Sequence, residues 1–136
     1  MSPTMEQSRS SKSALPQDML VELERIDETI AVARITGTLD RFSCQRLKDV
    51  LIDAVGAGSK ELIIDLTDVT TVDSSGLGVL IVMFQRARLA GGGLRLTGLN
   101  ERLTTILTTM SLDQVLHRDQ TVQDAISYFR SASHSS

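Results

Sequence analysis

Two adjacent hydroxyls, Ser74 and Ser75, stand between an acid and two glycines in the run Asp73-Ser74-Ser75-Gly76-Leu77-Gly78. The run leaves a strand and loop and opens a segment with helical periodicity. One reading is structural: a serine at a helix start accepts hydrogen bonds from orphan backbone amides. One hydroxyl suffices for that, and here there are two. Glycine early in a helix costs about 1 kcal/mol relative to alanine. Gly76 and Gly78 therefore point to close approach by another protein. From Glu61 to Gln85 there is no Lys or Arg, while Glu61, Asp65, Asp68 and Asp73 add negative charge. Such a stretch repels a phosphate ligand and makes a poor nucleotide cradle. It suits a hydroxyl that receives a phosphoryl group. The added charge, about −1.5 to −2, converts a neutral docking surface into a repulsive one, and the helix dipole offsets part of it.

The helix that follows must present this site. At about 100° per residue, Leu77, Leu80, Ile81, Met83, Phe84 and Ala87 form a core stripe. Ser75, Gly78, Val79, Val82 and Arg86 fall on the opposite side. Two readings of Val79 and Val82 stand: a helix buried all round, or a docking strip that continues from Ser74.

The elements that position the helix are legible from periodicity. Met19, Val21 and Leu23 alternate as in a strand, Asp27 and Glu28 mark a turn, and Ile30 to Thr36 forms a second strand. Phe42 to Val55 reads as a helix ended by Gly56 and Gly58. Glu61 to Leu66 reads as a central strand covered on both faces, followed by a loop from Thr67 to Asp73. The site helix runs from about Ser75 to Ala90 and stops at Gly91-Gly92-Gly93. A strand at Leu94 to Thr97, a helix capped by Asn100, a short strand at Val115-Leu116 and a last helix opened by Thr121 and Asp124 complete the chain. The order β-β-α-β-α-β-α-β-α implies an α/β single domain. Its sheet is mixed and mostly parallel, with about five strands and four covering helices. Residues 18–130 form this domain. Residues 1–17, rich in serine, and residues 131–136 read as disordered tails, which puts His134 outside any site.

Composition sets limits. The chain has 136 residues with a net charge of −3, 41% apolar and 23% charged residues, the balance of one soluble globular domain. Lack of a basic excess argues against direct nucleic-acid binding. The aromatic residues are Phe42, Phe84, Tyr128 and Phe129 alone, which argues against base-stacking platforms and an aromatic-lined pocket. Cys44 stands alone, so it forms no internal disulfide or multi-cysteine zinc site, and reads as a small buried hydrophobe on the first long helix. No cofactor motif or metal-ligand spacing occurs: Gly76-Leu77-Gly78 lacks the third glycine of a dinucleotide loop, and no Gly-Lys-Ser/Thr is present. No apolar run reaches membrane-spanning length and no signal-peptide stretch opens the chain, so a cytoplasmic location is expected. An enzyme reading needs Ser74 or Ser75 as nucleophile and His117 as base. The Gly-x-Ser-x-Gly elbow is absent and no triad spacing supports His117.

The motifs resemble a family. Leu62-Ile63-Ile64-Asp65-Leu66 followed by Val72-Asp73-Ser74-Ser75-Gly76-Leu77-Gly78 is similar to the STAS domain of bacterial anti-sigma factor antagonists, and Gly37-Thr38-Leu39-Asp40 resembles that family's Gly-x-Leu-Asp element. The element order matches over residues 18–130. The resemblance implies a partner-switching protein rather than an enzyme. Ser74, directly after the Asp, is then the residue phosphorylated by an anti-sigma factor that is also a serine kinase, with Asp40 and Asp73 as the acidic positions beside it. The unphosphorylated form binds that partner and frees the sigma factor, phosphorylation blocks binding, and a metal-dependent serine phosphatase reverses it. The expected partner surface is Asp40, Asp73, Ser74, Ser75, Gly76, Gly78, Val79, Val82 and Arg86. The same family also implies a rival, a non-switching binding or scaffold module in a stress-signalling or transporter-associated complex.

Overall fold

A computed structural model describes residues 19–134. The expected tail at residues 1–17 and the last two residues lie outside this range. The first two strands, β1 (Met19–Arg25) and β2 (Ile30–Leu39), form the expected hairpin, antiparallel from Met19↔Gly37 to Arg25↔Ala31. Asp27 makes its turn: the carboxylate accepts from the N–H groups of Thr29 at 3.0 Å and Ile30 at 2.9 Å. Those bonds hold the Asp27 carboxyl below the usual range, and the nearby Arg130 guanidinium adds to the effect.

The chain then alternates helix and strand: α1 (Cys44–Gly56), β3 (Glu61–Val72), α2 (Ser74–Leu89), β4 (Gly93–Thr97), α3 (Glu101–Thr109), a 3₁₀ turn at Leu112–Gln114, β5 (His117–Asp119) and α4 (Val122–His134). Strands β2 to β5 are parallel neighbours in sequence order, giving a five-stranded sheet β1-β2-β3-β4-β5. Successive right-handed crossovers onto the same growing edge put their helices on one face. Leu47 and Leu51 of α1, Leu77, Leu80 and Met83 of α2, and Leu103 and Leu107 of α3 pack there against Ala31, Ala33, Ile35, Leu62, Ile64 and Leu96. The alternate residues Ile30, Val32 and Ile63 meet Ala125, Ile126 and Phe129 of α4 on the other face. Leu62-Ile63-Ile64 is thus covered from both sides, as its continuous apolar run requires. Past α4 that second face turns polar, with Arg34 beside Glu24 at 2.6 Å and Asp65 at 4.0 Å.

Four boundaries differ from the sequence reading. Strand β2 runs on to Leu39 rather than ending at Thr36. Strand β3 does not end at Leu66. Residues 67–72, expected as a loop, continue the strand beside β2, with Thr36↔Asp68, Gly37↔Val69, Thr38↔Thr71 and Leu39↔Val72. Two irregularities in the register absorb the polar residues, and Gly37 takes a φ of +104° there. Val115 and Leu116, expected as the last strand, are not strand at all: their amides close back on Leu112, and β5 is His117–Asp119 instead. Helix α4 continues to His134, past the expected tail boundary at 131.

Candidate functional site

Strands β2 and β3 end side by side, since Leu39 pairs with Val72 and the Asp73 N–H donates to the Leu39 carbonyl at 3.0 Å. Asp40 and Asp73 are the next residues on the two chains. Each opens a helix, so the starts of α1 and α2 converge at this edge. Asp73 is the N-cap of α2, its Oδ1 accepting from the amides of Ser75 at 2.9 Å and Gly76 at 3.1 Å. Asp40 folds the turn into α1: its Oδ1 accepts from the amides of Phe42 at 2.9 Å and Ser43 at 3.1 Å. The buried Ser43 hydroxyl clamps this turn, donating to the Thr38 carbonyl at 2.7 Å and accepting from the Asp40 amide at 3.0 Å. Nothing in the spacing singled out Ser43.

The capping reading of the serine pair is therefore replaced: the acid caps, and both serines are left over. Ser74 is the first residue of α2 and exposed, Ser75 is half-buried, and neither hydroxyl makes a side-chain hydrogen bond among the described residues. Asp73 also occupies two of the amides that a phosphate at this helix start would use. A phosphoryl group on Ser74 would thus project outward beside a carboxylate, rather than settle onto the helix end.

The remaining expected contact residues separate into two groups. Gly78 has open space where a side chain would stand, Val82 is half-buried and Arg86 is exposed. These, with Ser74 and Ser75, follow one face of α2. Gly76 does not serve the outside. A Cβ there would sit 2.8 Å from both the Leu39 Cγ and the Leu39 carbonyl oxygen, and 3.1 Å from Val72 Cγ1. Its glycine lets α2 start against the strand ends. Val79 is 7% exposed and belongs to the core. The docking strip thus loses Gly76, which meets the strand ends, and Val79, which lies in the core; α2 is also flanked by α1.

The acidity also spreads out. Glu61 and Asp73 bracket the twelve residues of β3, on the order of 35 Å at the usual strand rise. The Glu61 carboxylate accepts from the Thr29 hydroxyl at 2.6 Å, and Asp65 accepts from the Thr67 amide at 3.0 Å and its hydroxyl at 2.6 Å. Only Asp40 and Asp73 lie at the serine edge itself. His117 lines a cleft with Phe84 and Arg88, beyond the far end of α2, so it is not paired with Ser74 or Ser75. Beside Asp40, Phe42 projects to solvent, 73% exposed, with the Arg41 guanidinium 4.8 Å from its ring centroid. An aromatic this exposed on a loop next to the serine edge is a candidate that periodicity could not flag, since it belongs to no stripe. The α1 thiol, Cys44, is half-buried with its Sγ 3.7 Å from the Arg41 carbonyl.

Comparison with known proteins agrees with this architecture. Residues 21–125 match the STAS domain family. The anti-sigma-B factor antagonist of Bacillus subtilis (strain 168) is 32% identical over 96 residues, covering 71% of this chain and 86% of that protein. The crystal structure of an anti-sigma factor antagonist from Mycobacterium paratuberculosis superposes with a TM-score of 0.77 at 20% identity, over 87% of this chain and 99% of the other. The phosphorylated form of the Bacillus cell fate determinant SpoIIAA superposes with a TM-score of 0.65 at 18% identity, over 80% and 98% of the two chains. With the strand-end serine motif, the sheet order and these matches in agreement, the chain belongs to the STAS domain family.

Proposed function

We propose that this protein is an anti-sigma factor antagonist, acting in the cytoplasm, that is switched at Ser74. In the unphosphorylated state it binds an anti-sigma factor that is also a serine kinase, and the sigma factor is released. The kinase transfers the γ-phosphoryl group of ATP to the Ser74 Oγ, and the modified surface no longer binds. A metal-dependent serine phosphatase restores the hydroxyl. The protein is the substrate in this cycle and performs no catalysis.

One observation carries the reading: the Ser74 hydroxyl is exposed and unbonded at a helix start whose cap is already supplied by Asp73. Added phosphate adds charge at the surface without breaking any internal bond, so it acts on the partner rather than on the fold. The name of the B. subtilis relative, and the phosphorylated state of SpoIIAA, support the same cycle. The partner surface is Asp40, Asp73, Ser74, Ser75, Gly78, Val82 and Arg86, extended by Phe42.

The test is incubation with the cognate kinase and ATP followed by peptide mass spectrometry. Phosphate on Ser74 is the expected result, and phosphate solely on Ser75 would reject the assignment. Ser74→Ala should keep binding to the kinase and Ser74→Asp should weaken it at least tenfold in calorimetry. Equal affinities would leave the non-switching scaffold as the better description.

A further inference from the structure

The scarcity of aromatic residues argued against an aromatic-lined pocket, and here the structure differs. Three of the four aromatic side chains, Phe84, Tyr128 and Phe129, line one cleft of about 540 Å³. That volume falls in the range of small-molecule sites. The cleft lies where β3, β4 and β5 begin, between the last turns of α2 and α4, at the opposite end of α2 from Ser74. Its charge runs against that of the whole chain. Lys60, Arg88, Arg95 and His117 line it, and its single acid, Glu61, accepts from Thr29.

The cations differ in freedom. Arg95 is fixed: it bridges to Asp119 at 2.6 and 3.3 Å and stacks 3.8 Å from the Tyr128 ring centroid. This holds the Tyr128 ring, 48% exposed, as a rigid wall. Lys60 and Arg88 make no ion pair among the described residues, and the Arg88 guanidinium sits 5.6 Å from the Phe84 ring centroid. The floor, Gly91-Gly92-Gly93, carries no side chains. Its amides are already spent on the carbonyls of Arg88, Ala87 and Lys60. An anion here is therefore held by side chains and not by a backbone cradle.

We propose that this cleft binds a small organic anion built on a planar ring, with the ring against Tyr128 and Phe84 and the anionic group between Lys60 and Arg88. The arrangement follows from two cations that have no acid partner among the described residues, Lys60 and Arg88, beside the Tyr128 wall and above a floor without side chains.

The experiment is a titration of the full chain with phenyl phosphate, followed by ¹⁵N-resolved NMR. Inorganic phosphate and benzyl alcohol serve as probes that carry only one of the two features. Saturable shifts at the amides of Gly91 to Gly93, His117 and Tyr128 are expected with phenyl phosphate, with affinities at least tenfold weaker for the other two. The double variant Lys60→Gln/Arg88→Gln should lose at least tenfold while its spectrum stays that of the folded protein, and Tyr128→Leu should lose discrimination against inorganic phosphate. Absence of saturable shifts overturns the proposal. So do equal affinities for phenyl phosphate and inorganic phosphate, undiminished binding in the double variant, or shifts confined to the Ser74 edge.

Discussion

The inner and outer faces of α2 use the same residue types for opposite purposes. Gly76 and Gly78 are two positions apart, and so nearly opposed on the helix. The first is glycine because the Leu39 backbone leaves no room for a side chain, while the second stands in open space. Val79 is sealed in the core between α2 and its neighbours, whereas Val82 keeps part of its surface. A glycine required by the fold and a glycine available to a partner are indistinguishable in the sequence. They separate only once the strand ends are in place.

Substitutions can sharpen that contrast. The largest effect belongs to Gly76→Ala, which forces a methyl against the Leu39 carbonyl. It should cost about 1–3 kcal/mol, seen as a lower urea midpoint. Asp73→Ala removes the α2 cap and should cost about 1 kcal/mol. Gly78→Ala should raise stability by about 0.5–1 kcal/mol, because the site is open and alanine favours the helix. The same change should weaken binding to the anti-sigma partner. If Gly78→Ala destabilises as Gly76→Ala does, the two faces are not distinct. Val82→Glu should leave the unfolding midpoint within about 0.5 kcal/mol and still reduce partner affinity, and collapse of the fold would return α2 to a helix buried all round. The smallest effect is in the hairpin, remote from both faces. The Asp27 carboxyl is held low by the Ile30 and Thr29 amides. Its stabilisation is thus present above the unfolded value of about 3.9 and is lost as the pH falls through the lower folded one. Urea midpoints of the wild type and Asp27→Asn should accordingly converge as the pH is taken below that range, the gap at neutral pH being small for so exposed a group.

The order of strands and helices was readable because each buried stripe repeats at its own period, down to the Asn100 cap, whose Oδ1 accepts from the Leu103 amide at 2.8 Å. The second half of β3 was not readable. Thr67, Asp68 and Thr70 are exposed and polar, and are strand only because β2 runs beside them. Similarly β5 is a three-residue edge of His117, Arg118 and Asp119, whose pairing is set by β4 rather than by any apolar signal of its own. The motif Asp73-Ser74-Ser75-Gly76 was read at a strand-to-helix junction, and the structure has it where β3 ends and α2 starts. The division of labour within it was hidden. Which residue caps and which stays free depends on a backbone bond to Leu39, thirty-four positions upstream.

That bond has a consequence for the kinase proposed to act on Ser74. The helix start is assembled from pieces distant in the chain: Leu39 holds Asp73, and Gly76 fits only because Leu39 and Val72 are already side by side. A short peptide containing residues 70–80 lacks Leu39, and a helix of that length is marginal in water. The shape offered to a kinase thus exists only in the folded domain. Under the proposed role, an unfolded copy presents the same letters but not the same surface, and escapes marking. The modification then draws only on folded molecules, so what it switches off is folded antagonist rather than total chain.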